Sequence, residues 1–317
     1  MGELIKFEQG EWGAIKANWP QLKDLALKGV GASSRRSYDA ALDAWRDWYD
    51  AIPEPRPRFF SKANVHGFRA SLQTRGLAPS TINVQLAAIR KLAAECADNN
   101  LIPPELAAGI ARVKGVKRLG VRTGNWLTAE QCAKLIAAPD GATLTGKRDR
   151  ALLAVLIGCG LRRAEACALT VEHIQQRDGR WAIVDIIGKG GRTRTVPMGA
   201  GVKALIDSWT SAAAIAGGCL FRPINRGGHV MGARIGNAHS IWLCVEKYAG
   251  QVGIPQIAPH DLRRTFAKLA HKGKAALEQI QLSLGHASIT TTERYLGVRQ
   301  DFADAPCDRL AIELPAA

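Results

Sequence analysis

The stretch RWAIVDIIGKGGRTRTVPM, residues 180–198, decides the fold class of this chain. Its β-branched residues flank a Lys-Gly-Gly turn, a pattern that predicts an antiparallel hairpin. The segments on either side carry apolar residues at the three- and four-residue spacing of helices instead. The sequence therefore predicts a mainly α protein, whose second half is a mixed α/β domain with one small antiparallel sheet.

The first hundred residues predict helices almost throughout. EWGAIKANWPQLKDLAL (11–27) predicts a leading helix that is interrupted near Pro20. Ser33 or Ser34 is expected to cap a helix that ends near Tyr49. Three later helices are expected to open at Ser61, at Pro79 and after the PPEL segment at 103–106.

The basic segment ARVKGVKRLGVRTGN (111–125) separates the two halves. It holds five basic residues and no acidic one, and its glycines argue against a stable helix. We interpret it as a linker that is either solvated or laid across a DNA backbone. The predicted organisation is an N-terminal extension or helix, a helical domain, the linker itself and a second domain, at residues 1–30, 31–113, 114–125 and 126–317.

Composition narrows the class of protein. A hydrophobic fraction of 47% over 317 residues is enough for two globular cores. Lys and Arg number 43 against 28 Asp and Glu, a net charge of +15, which favours nucleic acid as partner over a basic protein without a specific polyanion. No signal peptide or membrane span is evident, and the seven cysteines form no CxxC pair. A reduced cytoplasmic protein without disulfides or zinc is expected.

Two segments place a cation at a structural break. In GCGLRRAEACAL (158–169), Arg162 follows two glycines at a helix start, where backbone N–H groups already favour an anion. Glu165 stands three residues on, close enough to hold the guanidinium, although a surface ion pair is the simpler interpretation of these two residues alone. Lys189 lies at the tip of the predicted hairpin, either reaching into a groove or merely solvated.

Two further segments combine histidine with arginine or tyrosine. In PHDLRRTFA, His260 and Arg263 share one face of a predicted helix, a spacing that suits two oxygens of one phosphate as well as it suits a capping histidine beside an exposed arginine. In LGHASITTTERYLG, His286 follows Gly285 in a turn, and Tyr295 lies near the end of the next short helix. That tyrosine alone is typical of a core position.

Taken together, these four segments resemble the tyrosine recombinase (phage integrase) family. The matching patterns are LR-x-x-E, the lysine-bearing hairpin with GKG and VP, H-x-L-R before T-F-A, and LGH-x-S-I-T-T-T-x-x-Y. The resemblance covers roughly 126–300, and more loosely the first half, where SYDAALDAWRDWY and the helix after GLAPSTIN are similar to that family's SAM-like core-binding domain. It implies a Cre-like or Xer-like site-specific recombinase whose catalytic domain is 126–317.

The resemblance implies DNA strand exchange without a metal or other cofactor. Arg162 and Arg263 would clamp the scissile phosphate, because a planar guanidinium matches two oxygens at once. His286 would donate a third hydrogen bond to those oxygens, and Glu165 would orient Arg162. The residue types suit a displacement that concentrates negative charge on phosphate oxygens.

The same resemblance assigns the bond-forming and proton-transferring groups. Tyr295 would attack the phosphate, giving a 3′-phosphotyrosyl bond and a free 5′-hydroxyl. His260 would accept or hold the tyrosine proton, since a free phenol with a pKa near ~10 is a poor nucleophile at neutral pH. Lys189 would protonate the leaving 5′-oxygen.

The expected partner is a double-stranded DNA recombination site, bound by a dimer and brought into a tetrameric synapse, in the cytoplasm or nucleoid of a prokaryote and without a membrane partner. Tentative DNA contacts are the basic residues Arg90, Arg112, Lys114, Lys117, Arg118 and Arg122. Two other functions stay open: a type IB topoisomerase that relaxes DNA, and a basic DNA-binding protein that does not cleave. The target sequence, the direction of recombination and any accessory proteins are not predicted.

Overall fold

The computed structural model describes residues 12–117, 125–188, 191–232, 234–236, 238–254 and 256–297. The chain divides into two compact units between residues 122 and 123. Across the described ranges, no helix combines the length and the apolar character needed to cross a membrane.

The first unit is entirely helical over its described residues. Its helices are α1 (Trp12–Ala17), α2 (Trp19–Leu27), α3 (Ala32–Asp50), α4 (Lys62–Thr74), α5 (Pro79–Asp98) and α6 (Pro104–Ala111). The predicted interruption of the leading helix is confirmed, because α1 and α2 are separate and Pro20 lies in the first turn of α2. The predicted start at Ser61 is confirmed too, since its side chain accepts a hydrogen bond from the Asn64 amide at 3.2 Å.

The predicted cap of α3 was wrong by two or three residues. Gly31 occupies the N-cap position, so Ser33 and Ser34 lie inside the first turn. The Gly31 carbonyl accepts the first intrahelical hydrogen bonds, from the amides of Ser34 and Arg35 at 2.8 and 3.1 Å. An extended backbone at this glycine lets the chain enter the helix without a side-chain cap, since glycine is tolerated at that position.

The first unit has an aromatic and aliphatic core. Trp45 on α3 is fully buried and stacks on Phe59 at a centroid distance of 4.0 Å. The predicted apolar face of α5 is confirmed as its contribution to that core, through Ile82, Leu86, Ile89 and Leu92, each at most 1% exposed. Burial of these side chains is the main source of stability for a unit of this size.

The beginning of the predicted linker is packed against the first unit. The Asn83 side chain pairs with both backbone groups of Val116, at 2.8 and 3.0 Å, and Arg69 donates to the Lys114 carbonyl at 2.8 Å. Arg90 donates to the Val113 carbonyl. Side chains from α4 and α5 therefore bind main-chain groups of Val113, Lys114 and Val116, while the side chains of Lys114 and Lys117 are exposed.

The second unit combines helices with one sheet. Its elements are α7 (Ala129–Ala137), α8 (Leu144–Gly158), α9 (Arg163–Ala168), β1 (Ile174–Arg177), β2 (Arg180–Ile187), β3 (Thr193–Pro197), α10 (Ala200–Ala212), α11 (Ala238–Gln251), α12 (Pro259–Lys272), α13 (Leu277–Leu284) and α14 (Ile289–Leu296). Helix α8 is central: its residues 151–157 are buried on every face, which is why its sequence is apolar without periodicity.

The sheet has one more strand than the sequence predicts. The hairpin of β2 and β3 is confirmed, with Ile183 opposite Val196, and β1 adds to its other edge in antiparallel order β1-β2-β3. Strand β1 reads Ile-Gln-Gln-Arg, which lacks the alternation of apolar and polar residues that marks a half-buried strand. Its strand conformation comes instead from hydrogen bonding to β2 across a two-residue turn.

The prediction that helices dominate after the hairpin was wrong for the segment between α10 and α11. The described residues there form turns and two isolated bridges, Thr170 with Cys219 and Ile224 with Val230. The segment contains two Gly-Gly pairs and Pro223, which disfavour helix. Helices α9, α12, α13 and α14, which carry or flank predicted site residues, nevertheless follow in the expected order.

Candidate active site

Arg162 and Glu165 are joined at the N-terminus of α9. The Arg162 guanidinium donates from Nη1 to Oε1 of Glu165 at 2.7 Å, and the Arg162 amide donates to Oε2 at 2.8 Å. Glu165 is buried, at 7% exposure. The carboxylate therefore fixes both the main chain and the side chain of Arg162, as the spacing of the two residues indicates.

A second arginine, Arg194 on β3, shares the same carboxylate. Its Nη1 and Nη2 donate to Oε1 and Oε2 of Glu165 at 3.0 and 2.8 Å, and its Nε donates to the Ser283 carbonyl at 2.8 Å. Burial alone would raise the pKa of Glu165, but hydrogen bonds from Arg194 and Arg162 outweigh it and lower the pKa to about 2. The carboxylate stays charged at any physiological pH.

Sequence reasoning did not identify Arg194. The usable signal is the alternation of β3, in which residues two apart share a face. Val196 is fully buried, so Arg194 points to the same interior side. An arginine on the inward face of a strand requires a buried anion, and Glu165 supplies it.

Arg263 is almost completely buried, at 1% exposure. Its Nη1 donates to the Gly160 carbonyl at 2.7 Å, and its Nη2 donates to the Leu284 carbonyl. Burial, and then the nearby Arg162, lower its pKa to about 10, which leaves it protonated at neutral pH. The interpretation of Arg263 as an ordinary exposed arginine was wrong. Main-chain carbonyls in the turn that follows α8 and at the end of α13 hold its guanidinium in place.

Both of those turns depend on glycine. Gly160 and Gly285 have φ angles of +60° and +61°, a conformation that side chains disfavour. A Cβ atom on Gly160 would lie 2.6 Å from the Phe266 ring, and one on Gly285 would lie 2.8 Å from Cδ of Arg194. Gly160 therefore allows its own carbonyl to reach Arg263, and Gly285 leaves room for the Arg194 side chain.

His286 is held by its backbone and by one ring nitrogen. Its amide donates to the Gln281 carbonyl at 3.2 Å, and its carbonyl accepts from the Gln281 side chain at 3.1 Å. Its Nδ1 lies 3.0 Å from Oγ1 of Thr292. Burial, followed by Arg263 and the other arginines of the site, lowers the pKa of His286 to about 4, so the imidazole is neutral at pH 7.

Tyr295 lies on α14 with its hydroxyl beside His260. Its Oη donates to the His260 carbonyl at 3.2 Å and lies 3.5 Å from Nε2 of the same residue. The ring sits edge-on to the rings of His260 and His286, with centroids 5.5 and 5.4 Å away, and the Arg264 guanidinium lies 5.1 Å from its centroid. Burial raises the pKa of Tyr295 against the opposing effect of Arg263 and Arg264, so a base is needed to ionise it.

His260 follows Pro259 at the N-terminus of α12 and is suited to be that base. Partial desolvation of its ring, and then Arg264 and Arg263, lower its pKa below the ordinary value. A neutral imidazole at 3.5 Å from the phenol is able to accept its proton after a small movement. In the described part of the chain, no cluster of three His, Cys, Asp or Glu side chains is placed to bind a metal ion.

The structure thus brings together six of the seven predicted site residues of the second unit, Arg162, Glu165, His260, Arg263, His286 and Tyr295, and adds Arg194. Lys189 lies outside the described residues. Of the tentative DNA contacts, Arg112, Lys114 and Lys117 are exposed on the first unit, while Arg118 and Arg122 also lie outside the described residues. The Arg90 guanidinium is partly buried and donates to the Val113 carbonyl.

Comparison with known proteins gives consistent matches. A model of the phage integrase family matches residues 125–301. Tyrosine recombinase XerC of Xanthomonas axonopodis pv. citri (strain 306) is 30% identical over 277 residues, covering 86% of this chain and 83% of that protein. Tyrosine recombinase XerC of Xylella fastidiosa (strain 9a5c) is 30% identical over 269 residues, covering 84% and 87%.

Solved structures match in fold. A XerH site-specific recombinase bound to a palindromic difH substrate has a TM-score of 0.67 at 21% identity, covering 87% of this chain and 80% of that one. A lambda integrase dimer bound to a COC′ core site has a TM-score of 0.66 at 16% identity, covering 91% and 78%. These matches confirm the predicted fold class, a helical domain followed by a mixed domain with a small antiparallel sheet.

Proposed function

Because this chain belongs to the phage integrase family of tyrosine recombinases, we propose that it cleaves and rejoins DNA at a specific site through a 3′-phosphotyrosyl bond formed by Tyr295. The observation that carries the proposal is the position of the Tyr295 hydroxyl. It lies 3.5 Å from Nε2 of His260, the Tyr295 ring packs against the His286 ring, and the charges of Arg263, Arg264 and Arg162 act on the phenol. A phenol in that setting has a base at hand and an anion-binding surface beside it.

Arg162 and Arg263 hold the non-bridging oxygens of the scissile phosphate. Each guanidinium is oriented by its own partners, Glu165 in one case and two main-chain carbonyls in the other. Preorganised cations stabilise charge that develops during displacement without having to reorganise at that moment. His286 donates the third hydrogen bond to the same oxygens.

The proton transfers follow from the chemistry of the groups. Tyr295 transfers its proton to His260 as its oxygen forms the bond to phosphorus, and the bond from phosphorus to the 5′-oxygen breaks. The 5′-oxygen leaves as a hydroxyl with a proton from Lys189, an assignment that rests on the sequence pattern of the hairpin. Attack by a 5′-hydroxyl on the phosphotyrosyl bond reverses these transfers and rejoins the strand.

The proposed partner is double-stranded DNA carrying a recombination site. The similar solved structures are a XerH recombinase bound to a difH substrate and a lambda integrase dimer bound to a core site, and this chain carries a net charge of +15. We assign residues 31–113 to core DNA binding and 126–317 to catalysis, with a dimer on each site and a tetramer in the synapse, in a prokaryotic cytoplasm. Affinity that rests on phosphate contacts falls steeply with added salt.

A covalent-capture experiment tests the proposal. The full chain is incubated with a pool of nicked duplexes with randomised arms, and DNA that stays attached to protein in SDS is recovered and sequenced. We expect attachment for the wild type and for Tyr38→Phe, a matched change in the first unit, and none for Tyr295→Phe.

The recovered sequences separate the alternatives. Enrichment of one sequence supports a site-specific recombinase, whereas attachment to every sequence with relaxation of supercoiled plasmid supports a type IB topoisomerase. Absence of attached DNA from the whole pool would contradict cleavage and favour a protein that only binds.

A further inference from the structure

Three consecutive threonines, residues 290–292 of α14, have different surroundings. Thr290 and Thr291 are exposed, whereas Thr292 is fully buried and its hydroxyl lies 3.0 Å from Nδ1 of His286. We propose that Thr292 is a positioning residue that fixes the tautomer of His286, so that Nε2 carries the proton that is donated to the scissile phosphate. The proposal rests on the function proposed above and deepens it.

The hydrogen-bonding capacity of a hydroxyl determines the direction of this contact. A threonine hydroxyl has one hydrogen to donate, and a neutral imidazole has one protonated and one unprotonated nitrogen. Within the described residues, Nδ1 of His286 is the hydrogen-bond partner of Oγ1 of Thr292. If Nδ1 carried the proton, the hydroxyl hydrogen would be left buried without an acceptor among the described residues, which is unfavourable.

The hydroxyl therefore donates, Nδ1 accepts, and the proton of the ring is on Nε2. No described residue is hydrogen-bonded to that nitrogen, so it is available to a ligand. With the opposite tautomer, the lone pair of Nε2 would face phosphate oxygens and repel them. The tautomer therefore decides whether Nε2 of His286 donates a hydrogen bond to the phosphate oxygens or repels them.

The tautomer matters because the imidazole is neutral. A second proton on the His286 ring is disfavoured by the charges of Arg263, Arg162, Arg194 and His260. A doubly protonated ring, which has no tautomers, is therefore not populated at pH 7. The backbone of His286 is fixed separately by Gln281. Thr292 therefore affects the ring and its proton, without being needed to hold the turn.

Nuclear magnetic resonance of the full chain labelled with ¹⁵N-histidine tests the proposal without DNA. The ¹⁵N shifts of Nδ1 and Nε2 of His286, assigned with a His286→Gln variant, report which nitrogen is protonated. We expect Nε2–H in the wild type, in Thr292→Ser, which keeps the hydroxyl, and in Thr291→Val, the same isosteric change one residue away. We expect a mixture of tautomers in Thr292→Val.

The rate of covalent attachment at pH 7 to the captured DNA gives the functional readout. A variant that keeps the correct tautomer part of the time reacts in proportion to the population of that tautomer, so equal populations of the two tautomers should slow attachment by about twofold. Thr292→Ser and Thr291→Val should both match the wild type.

The proposal is overturned by a wild-type proton on Nδ1, by a Thr292→Val variant that keeps the wild-type tautomer, or by one that reacts as fast as Thr291→Val. Absence of attached DNA with every protein would instead contradict the proposed function. The tautomer measured in the free chain would still decide the structural part of the inference.

Discussion

The two units place their polar groups differently. Among the described residues, the first unit buries one polar side chain, Asn64, whose amide donates to the Arg58 carbonyl at 2.7 Å. The second unit buries five polar or charged side chains, Asp149, Glu165, Arg263, Thr265 and Thr292. Three of these, Glu165, Arg263 and Thr292, contact the candidate site directly or through one neighbour.

The two units therefore depend on different forces for their stability. The first unit has exposed ion pairs, such as that between Lys16 and Asp50, whose side chains are 56% and 39% exposed, and exposed pairs contribute about 0–1 kcal/mol. Its stability must come from apolar and aromatic burial. In the second unit, buried charges orient the site, so a change there alters stability and chemistry together.

The largest expected effect is that of Glu165→Gln. The amide cannot neutralise Arg162 and Arg194, and removing one partner of a buried ion pair costs about 3–5 kcal/mol. We also expect covalent attachment to slow by ~10²-fold, because Arg162 loses its orientation. Urea unfolding followed by circular dichroism and the attachment rate are the measurements.

Glu172→Gln is the matched control for that prediction. The pKa of Glu172 is also lowered to about 2, first by the Gly218 amide and then by Thr170, but its carboxylate lies at the surface. We expect a far smaller loss of stability and an unchanged attachment rate. Equal losses in the two variants would mean that burial of the charge is not what distinguishes the second unit.

Trp45→Ala should have the largest effect on the first unit. Truncating a fully buried tryptophan that stacks on Phe59 removes about 3–5 kcal/mol of stability. Trp45→Phe is the control: it keeps an aromatic ring and removes an indole N–H that has no hydrogen-bond partner among the described residues, so its cost should be much smaller. Calorimetry should place the loss in the transition of the first unit, and a loss in the other transition would contradict the division.

The pH dependence of stability should distinguish the second unit. The pKa of His286 is lowered to about 4, while an unfolded imidazole titrates near ~6.5, so between these values only the unfolded chain takes up the proton. Stability from this group should be complete above pH 6.5 and should fall as the pH decreases towards 4. His260, whose pKa is also lowered, acts in the same direction.

His286→Gln should flatten this dependence, which urea midpoints at pH 7, 5.5 and 4.5 would measure. The remaining slope is expected to come in part from His260. An unchanged slope in His286→Gln would show that the arginines of the site do not exclude the proton in the folded chain.

The smallest expected effect is that of Arg90→Ala. Its hydrogen bond to the Val113 carbonyl predicts a loss of about 1 kcal/mol in the first unit, without a change in the salt dependence of DNA binding. Lys114 is exposed, and Arg69 binds its main-chain carbonyl. If the Lys114 side chain contacts phosphate, Lys114→Ala should reduce the slope of log binding constant against log salt concentration by about 1. A reduced slope in Arg90→Ala would instead show that Arg90 contacts DNA phosphate.

The sequence predicted most of the site because its residues sit at local breaks. Thr128 and Ser288 begin helices as helix-capping residues do, and Arg162, His260 and His286 lie where a helix starts or a turn intervenes. These signals act over a few residues, so a single chain displays them. The order of the motifs then identified the family.

What the sequence did not predict depends on contacts between distant segments. Arg194 is recognisable only when β3 is known to turn one face inward towards Glu165, which lies 29 residues away. The burial of Arg263 depends on carbonyls 103 and 21 residues from it. Strand β1 exists because β2 pairs with it, and its own residues give no pattern.

Gly285 illustrates how such distant contacts enter a short motif. Its positive φ already disfavours a side chain, and the Arg194 side chain occupies the space beside it. The glycine in LGH is therefore required both by the turn and by the side chain of an arginine 91 positions earlier. Across a family alignment, residue types at these two positions should covary, and transplanting the LGH segment into a chain without the arginine would leave a gap that a larger residue is free to fill.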